Sequence, residues 1–356
     1  GDLFTYYSSV GNNANETSDE LTGPTTNENG IDDAAPATNG IRSTNFALLA
    51  GTESTTDDDT GYTGTLPDSS VNFTDDFGFT QKYSIGNRVW FDTNNGSTIN
   101  GAEVGVDGVT VNLYAASNLT VILATDTTSN GGYYLFDDLY PGDYVVSVAA
   151  SNFTGVLNGY WSSGTSRTAA GVITETAPAL ANSDTDSDDN GTLQTAGLLN
   201  GAVISSTVTL GPSGNTEPTL ETNLEPVIGQ GNQADGRANM TVDFGFYKTE
   251  IGNLVFADTN NSGHYNVGDT LLQNVTVQLY AGNDTTLLAT TTTNASGDYR
   301  FNGQPEGNYV VKVATPAGMT STIDTFDSAD NATPEVNTDN NDNGIGEGAG
   351  TVTAGT

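Results

Sequence analysis

Two stretches of this chain place oxygen-bearing side chains where one hard cation could be wrapped. In the first, Asp92, Asn94, Asn100 and Glu103 occupy the first, third, ninth and twelfth positions of a loop, with Thr98 at the seventh. In the second, Asp258, Asn260, Asn266 and Asp269 fall at the same positions, with Ser262 at the fifth and His264 at the seventh. This is the spacing of a twelve-residue calcium loop, whose seventh residue ligates through its backbone carbonyl and whose ninth often acts through water. Asp92, Asn94 and Glu103 are therefore expected to ligate through side chains, Thr98 through its carbonyl, and Asn100 directly or through water. The second loop repeats the arrangement with His264 in the carbonyl position. A flexible, all-oxygen shell favours calcium over magnesium. Asx and Gly residues also cap ordinary turns, but recurrence of the spacing beside the same strand selects the metal.

A second acidic cluster offers Asp184, Asp186, Asp188 and Asn190, matched further on by Asn337, Asp339, Asn341 and Asn343. Carboxylates at alternate positions can converge on one ion when a loop curls around it; a solvated acidic loop is the bland alternative. Two of the carboxylates, Asp184 and Asp188, become amides in the later copy, Asn337 and Asn341. Asn27 to Gly30 reads as an N-terminal remnant of the same cluster.

The elements that hold these loops are strands. Ile85-Gly86-Asn87-Arg88-Val89-Trp90-Phe91 leads into the first loop and Ile251-Gly252-Asn253-Leu254-Val255-Phe256-Ala257 into the second. Short alternating runs follow each: 109–114, 121–124, 133–136 and 144–148, then 275–280, 287–289, 299–301 and 309–313, separated by Gly, Pro and Asp turns. No stretch carries a useful helical period. The fold expected is all-β, with tandem Ig-like β-sandwich domains like beads on a string.

The period is long. Ile85 to Ile251 spans 166 residues and Phe77 to Phe244 spans 167, so each repeat is a whole domain and not a small solenoid unit. Residues 83–248 form the complete repeat. Residues 249–356 form the first part of the next one, without its Asp-Phe-Gly-Phe strand. Residues 1–82 supply the last part of a repeat, ending in the strand 71–79. Either the sequence is a window of a longer repetitive polypeptide, or each copy lends its N-terminal strand to the open sheet of a neighbour.

The blocks Ile-Gly-Asn-x-Val, Val-Thr-Val-x-Leu-Tyr, Gly-x-Tyr-x-Phe, Pro-Gly-Asp-Tyr-Val-Val and Asp-Phe-Gly-Phe, in that order, resemble the B-type repeats of bacterial serine-aspartate surface proteins, which are related to the B-type domains of collagen-binding adhesins. The resemblance implies an extracellular, Ig-like β-sandwich that binds calcium and acts as a rigid spacer at the cell surface. The chain departs from the family pattern at Gly96-Ser97, where the family has Asp-Gly, and in the long insert between Val148 and Val242.

Composition sets the other bounds. With 8 basic against 44 acidic residues and a formal charge of −36, the chain is unsuited to nucleic acid. It has no cysteine, so neither disulfides nor thiolate sites hold it, and divalent cations are the natural substitute outside the cell. No run approaches the roughly 20 apolar residues of a membrane helix, and no basic signal segment precedes Gly1, as in a mature product or a fragment. The only histidine, His264, is assigned to a metal loop and there is no cysteine, which argues against Ser-His-Asp and Cys-His machinery. Lys to Asn cross-links, known in some adhesin relatives, need a strand lysine in each domain; the lysines are Lys82, Lys248 and Lys312, and Lys312 is replaced by Ser147 in the other copy, which argues against them. Trp90 is expected in the core, and Trp161 to match an aromatic near Tyr6-Tyr7. The function expected is that of a calcium-stabilised, non-enzymatic repeat of a surface filament, stalk or surface layer, whose partners are copies of itself. The alternative is an adhesin module that binds a host protein or glycan through the insert.

Overall fold

The computed structural model describes residues 6–8, 40–43, 48–52, 55, 63–71, 77–101, 103–181, 187–211, 217–221, 223–322, 344–347 and 351–354. Its described residues form strands with three short 3-10 turns, as the alternating runs require.

In the complete repeat two sheets face each other. The first is built on Tyr83–Phe91, which pairs antiparallel with Tyr133–Leu139 on one side and parallel with Ala238–Asn239 and Phe244–Tyr247 on the other. The second runs Asn118–Thr127, Thr110–Ala115 and Gly142–Val148, and then Val203–Ile204 and Val208–Leu210. Ile85, Val89, Phe136, Phe244 and Phe246 from the first sheet meet Val111, Leu113, Val146, Val148 and Val208 from the second in one core cluster. Burial of this apolar face, at about 25 cal/mol per Å², is the main force closing the sandwich. Trp90 is 0% exposed, the core position expected of it. Gly132 is required where the Asn130 to Gly132 turn meets the strand: it sits at φ +91°, and a Cβ there would lie 2.1 Å from the Val89 carbonyl oxygen.

Residues 249–354 repeat part of this strand order. Thr249–Leu254 pairs with Asp298–Gln304, and a five-stranded sheet runs Leu287–Thr292, Thr276–Ala281, Tyr309–Ala314, Thr351–Ala354 and Gly344–Glu347. Its own cluster is small: Val277, Leu279, Phe301 and Val311 are its buried residues. At the N-terminus Tyr6–Ser8 pairs antiparallel with Phe79–Gln81, setting Tyr7 opposite Thr80 and Ser8 opposite Phe79. Trp161 and Ser162 take the same places opposite Tyr247 and Phe246. Tyr7 thus stands where Trp161 stands.

The two repeats are joined by more than the chain. Only Lys248 separates the last strand of one from the first strand of the next, and part of the long insert lies across the junction. The hairpin Thr165–Arg167 and Ile173–Glu175 adds itself to the second repeat: Ser166 and Arg167 pair in parallel with Glu306 and Gly307. Trp161 Nε1 donates to the Gly303 carbonyl at 2.8 Å, and Asn283 N donates to the Ala169 carbonyl at 2.8 Å. The Tyr247 hydroxyl accepts from Glu306 N at 2.8 Å and donates to the Thr165 carbonyl. Burial pushes that hydroxyl up to about 12, so it stays a donor.

Candidate metal centres

Both twelve-residue loops close into rings through their first and last carboxylates. Asp92 is 1% exposed. Its Oδ1 accepts from the N–H groups of Asn94 at 3.3 Å and Gly96 at 3.0 Å, and its Oδ2 from Ser97 N at 2.9 Å and Ser163 Oγ at 2.7 Å. Glu103 closes the other side, accepting from Thr93 N at 2.7 Å and Asn100 N at 2.9 Å. Asn100 Nδ2 donates to the Thr98 carbonyl at 3.0 Å, and Asn94 Oδ1 accepts from Gly96 N.

The second loop is built the same way. Asp258 accepts from Asn260 N at 3.2 Å and Gly263 N at 2.8 Å, and Asp269 from Thr259 N at 3.0 Å and Asn266 N at 2.8 Å. These backbone donors hold the Asp269 carboxyl below the usual carboxylate range. Asn266 Nδ2 reaches Ser262 Oγ at 2.7 Å and the His264 carbonyl at 2.9 Å, and Asn260 Nδ2 reaches Asn266 Oδ1 at 3.4 Å. The carboxylates, amides and carbonyls named from the spacing are therefore neighbours in both loops. Ser97 sits at φ +57° and Gly263, its equivalent, at +74°. The departure from the family pattern has left a serine where the backbone favours glycine.

The donor set fits a hard cation. Each loop offers two carboxylates together with amide and carbonyl oxygens, the mixture calcium takes. Among the described residues no three His, Cys, Asp or Glu side chains are grouped closely enough to hold a metal by themselves. The amides and carbonyls are thus needed for any ion bound here.

The second acidic cluster divides. Asp184 and Asp186, together with Asn337, Asp339, Asn341, Asn343 and Asn27 to Gly30, lie outside the described residues. Asp188 lies against the first loop, bridged to Thr98, while Ile99 N donates to the Ser187 carbonyl and Asp189 N to the Ser97 carbonyl. Asn190 is 0% exposed and is spent on the fold: its Oδ1 accepts from Asp243 N at 2.8 Å, and its own N–H donates to the Asp243 carbonyl.

Three residues of this site were not named from the sequence. Ser163 supplies a hydroxyl to Asp92. Asp243, 0% exposed, accepts from Arg88 N at 2.9 Å and Ser187 N at 3.0 Å. Asp189, 2% exposed, accepts from Gly245 N at 2.9 Å. Burial drives the Asp189 carboxyl well above the usual range despite those N–H donors, and the charges of Glu175 and Asp92 push it the same way. For Asp243 a signal existed: an aspartate precedes Phe-Gly-Phe at Asp76 as well, and a recurring charge on a core strand marks a paired one.

The first loop also faces the following repeat. Asn95, at the loop's fourth position and φ +55°, donates from Nδ2 to Glu306 Oε2 at 2.6 Å and accepts Gly164 N at 2.7 Å. Loop, acidic turn, insert hairpin and next domain form one connected hydrogen-bonded network.

Comparison with known proteins agrees with this layout. The SdrD B-like domain family matches residues 83–204 and 249–354. Serine-aspartate repeat-containing protein D of Staphylococcus aureus (strain Newman) is 32% identical over 255 residues, covering 70% of this chain and 15% of that protein. Serine-aspartate repeat-containing protein F of Staphylococcus epidermidis is 31% identical over 265 residues, covering 73% of this chain and 12% of that protein. The chain thus spans only a small part of the curated relatives it matches, which are serine-aspartate repeat-containing proteins. Among solved structures, the shaft pilin SpaA of Lactobacillus rhamnosus GG covers 68% of this chain and 91% of its own at 11% identity and a TM-score of 0.26. The Bacillus anthracis TIE protein covers 70% of this chain and 32% of its own at 10% identity and a TM-score of 0.20. Overlays this loose carry no argument, and the all-β assignment rests on the strands themselves. Among the described residues no helix is long and apolar enough to cross a membrane. Two matched blocks covering more than half of the chain, in the register of its two folded repeats, make it a member of the SdrD B-like domain family of extracellular, cell-surface modules.

Proposed function

We propose that the chain is a non-enzymatic structural spacer of a bacterial or archaeal surface filament, stalk or surface layer, its tandem domains stiffened by calcium and assembled head to tail. The observation that carries this reading is the continuity from loop to joint: Asp92 is tied to Ser163, and Asn95 to Glu306 of the next repeat. An ion held by Asp92, Asn94, Thr98, Asn100 and Glu103 would neutralise carboxylates that otherwise repel, linking metal binding to folding. Because the same loop touches the hairpin and the next domain, ordering it restrains the angle between repeats. The part of the insert from Trp161 to Glu175 is taken up by this joint, which weighs against the insert's serving as a free adhesive surface for a host protein or glycan.

Removing calcium with a chelator tests the reading. The melting temperature is expected to fall and the solution scattering profile to show a less extended, more variable particle. A melting curve and a scattering profile both unchanged by chelator would refute it.

A further inference from the structure

In the complete repeat the outer strand of the second sheet, Asn118–Thr127, is apolar and uncovered. Among the described residues it pairs only with Thr110–Ala115, and Val121, Ile122 and Leu123 are 52%, 50% and 52% exposed. No charged residue falls between Leu113 and Thr125, in a chain whose formal charge is −36. An uncharged apolar edge without proline is a template for unwanted strand pairing, and folded proteins cover or charge such edges. This strand begins with a residue able to carry a cover.

Asn118-Leu119-Thr120 is an Asn-x-Thr triplet, the acceptor sequence for an N-linked sugar. The chain holds several such triplets, and a glycan fits only where the asparagine stays outside the fold. Among the described residues two of them set the threonine hydroxyl on the asparagine's own Oδ1. Thr241 Oγ1 donates to Asn239 Oδ1 at 2.9 Å, and Thr120 Oγ1 donates to Asn118 Oδ1 at 2.6 Å, joined there by Thr120 N at 3.1 Å. Asn239 is 0% exposed and spends its Nδ2 on the Ala181 carbonyl. Asn152, 5% exposed, gives its Nδ2 to the Thr110 and Ala149 carbonyls. Asn118 is exposed at the tip of a hairpin, opposite Ala115, and among the described residues nothing accepts from its Nδ2.

We propose that Asn118 is a glycosylation site whose N-linked oligosaccharide covers the Val121 to Leu123 edge. An amide nitrogen is a weak nucleophile, and the two donors on Oδ1 stabilise the charge that gathers there as Nδ2 gives up a proton. The sugar comes from a glycosyl phosphate donor, brought by a separate transferase. A base of that enzyme takes the Nδ2 proton, and a bond forms from Nδ2 to the sugar's anomeric carbon. The bond from that carbon to the phosphate oxygen breaks, and the phosphate leaves with the electron pair. A neighbouring domain against this hairpin tip leaves the position open. In the second repeat the equivalent tip is held by the insert hairpin, with Asn283 N on the Ala169 carbonyl at 2.8 Å, and Asn283 is still exposed. The site depends on the surface location of the chain and not on the spacer reading.

The test is mass spectrometry of the chain as isolated from the cells that make it, digested with a protease of broad specificity and fragmented so that each sugar stays on its residue. Asn118 is expected to carry a glycan, and Asn152 and Asn239 none. In the same cells Asn118→Gln and Thr120→Ala are each expected to lower the intact mass by one glycan, while Thr120→Ser keeps it. Asn118→Gln is also expected to self-associate more than wild type in sedimentation, and the added change Val121→Lys to reverse this. Native Asn118 recovered only unmodified, equal occupancy at Asn152 or Asn239, or a Thr120→Ala chain of full mass would overturn the site. An Asn118→Gln chain that associates no more than wild type would overturn the covering role, and native chains paired through residues 118–127 with Asn118 unmodified would put a second copy on the edge instead.

Discussion

Replacing Asp92 by alanine separates the two roles given to the first loop. The carboxylate gathers three backbone N–H groups and the Ser163 hydroxyl, at 2.7 to 3.3 Å. Gly96 N keeps Asn94 Oδ1 as a second acceptor, and the Ser163 hydroxyl can rotate. Asn94 N and Ser97 N lose the acceptor shown for them. At about 1–3 kcal/mol for each stranded donor, Asp92→Ala should cost about 2–6 kcal/mol without any metal. This is a large share of the roughly 5–15 kcal/mol that holds a domain together. For a domain of this size, at about 2–4 °C per kcal/mol, that lowers the melting temperature by about 4–24 °C. Calcium at about 100 times its dissociation constant adds about 2.7 kcal/mol to a protein that binds it only when folded. The variant should lose that increment from this loop. The assay is thermal unfolding followed by the fluorescence of Trp90, buried at the end of the same strand, with and without calcium. Superimposable melts for wild type and variant would refute the reasoning outright. A destabilised variant with an undiminished calcium response would remove the metal from this loop and leave Asp92 as a turn anchor.

Two further outcomes follow from backbone strain and buried charge. Ser97→Gly frees a residue held at φ +57°; relief of about 1–2 kcal/mol, less the greater unfolded-state freedom of glycine, should raise the melting temperature slightly, and a fall would show that the serine side chain matters more than the backbone. Burial pushes the Glu217 carboxyl from 4.5 up to about 7. Between those values the folded chain keeps a proton that the unfolded chain releases, so stability should fall as pH rises from about 4.5 to about 7 and level off above. Glu217→Gln should flatten that decline in urea unfolding measured across the interval; an unaltered slope would mean that other groups produce it.

Much of this protein follows from local sequence. Oxygen-bearing loop side chains at fixed spacings, alternation along 109–114 and 144–148, and turn residues between them express geometric demands made within a few residues, and the folded chain brings those side chains together and forms those strands. The long period is equally visible, since Asp-Phe-Gly-Phe and Ile-Gly-Asn each occur twice. It also placed the counterpart of Trp161 near Tyr6-Tyr7, and the strand registers single out Tyr7.

What local spacing could not convey are contacts made across great separations. Ser163 meets Asp92 across 71 positions, and Arg88 meets Asp243 across 155; no periodicity encodes such pairs. The insert looked like spare surface until its hairpin was seen paired with Glu306 and Gly307. The two opening loops differ little as sequences, and Ile85 and Ile251 not at all. Tertiary structure alone decides that Ile85 is fully buried and Ile251 only partly so, because burial depends on the distant strands packed against each.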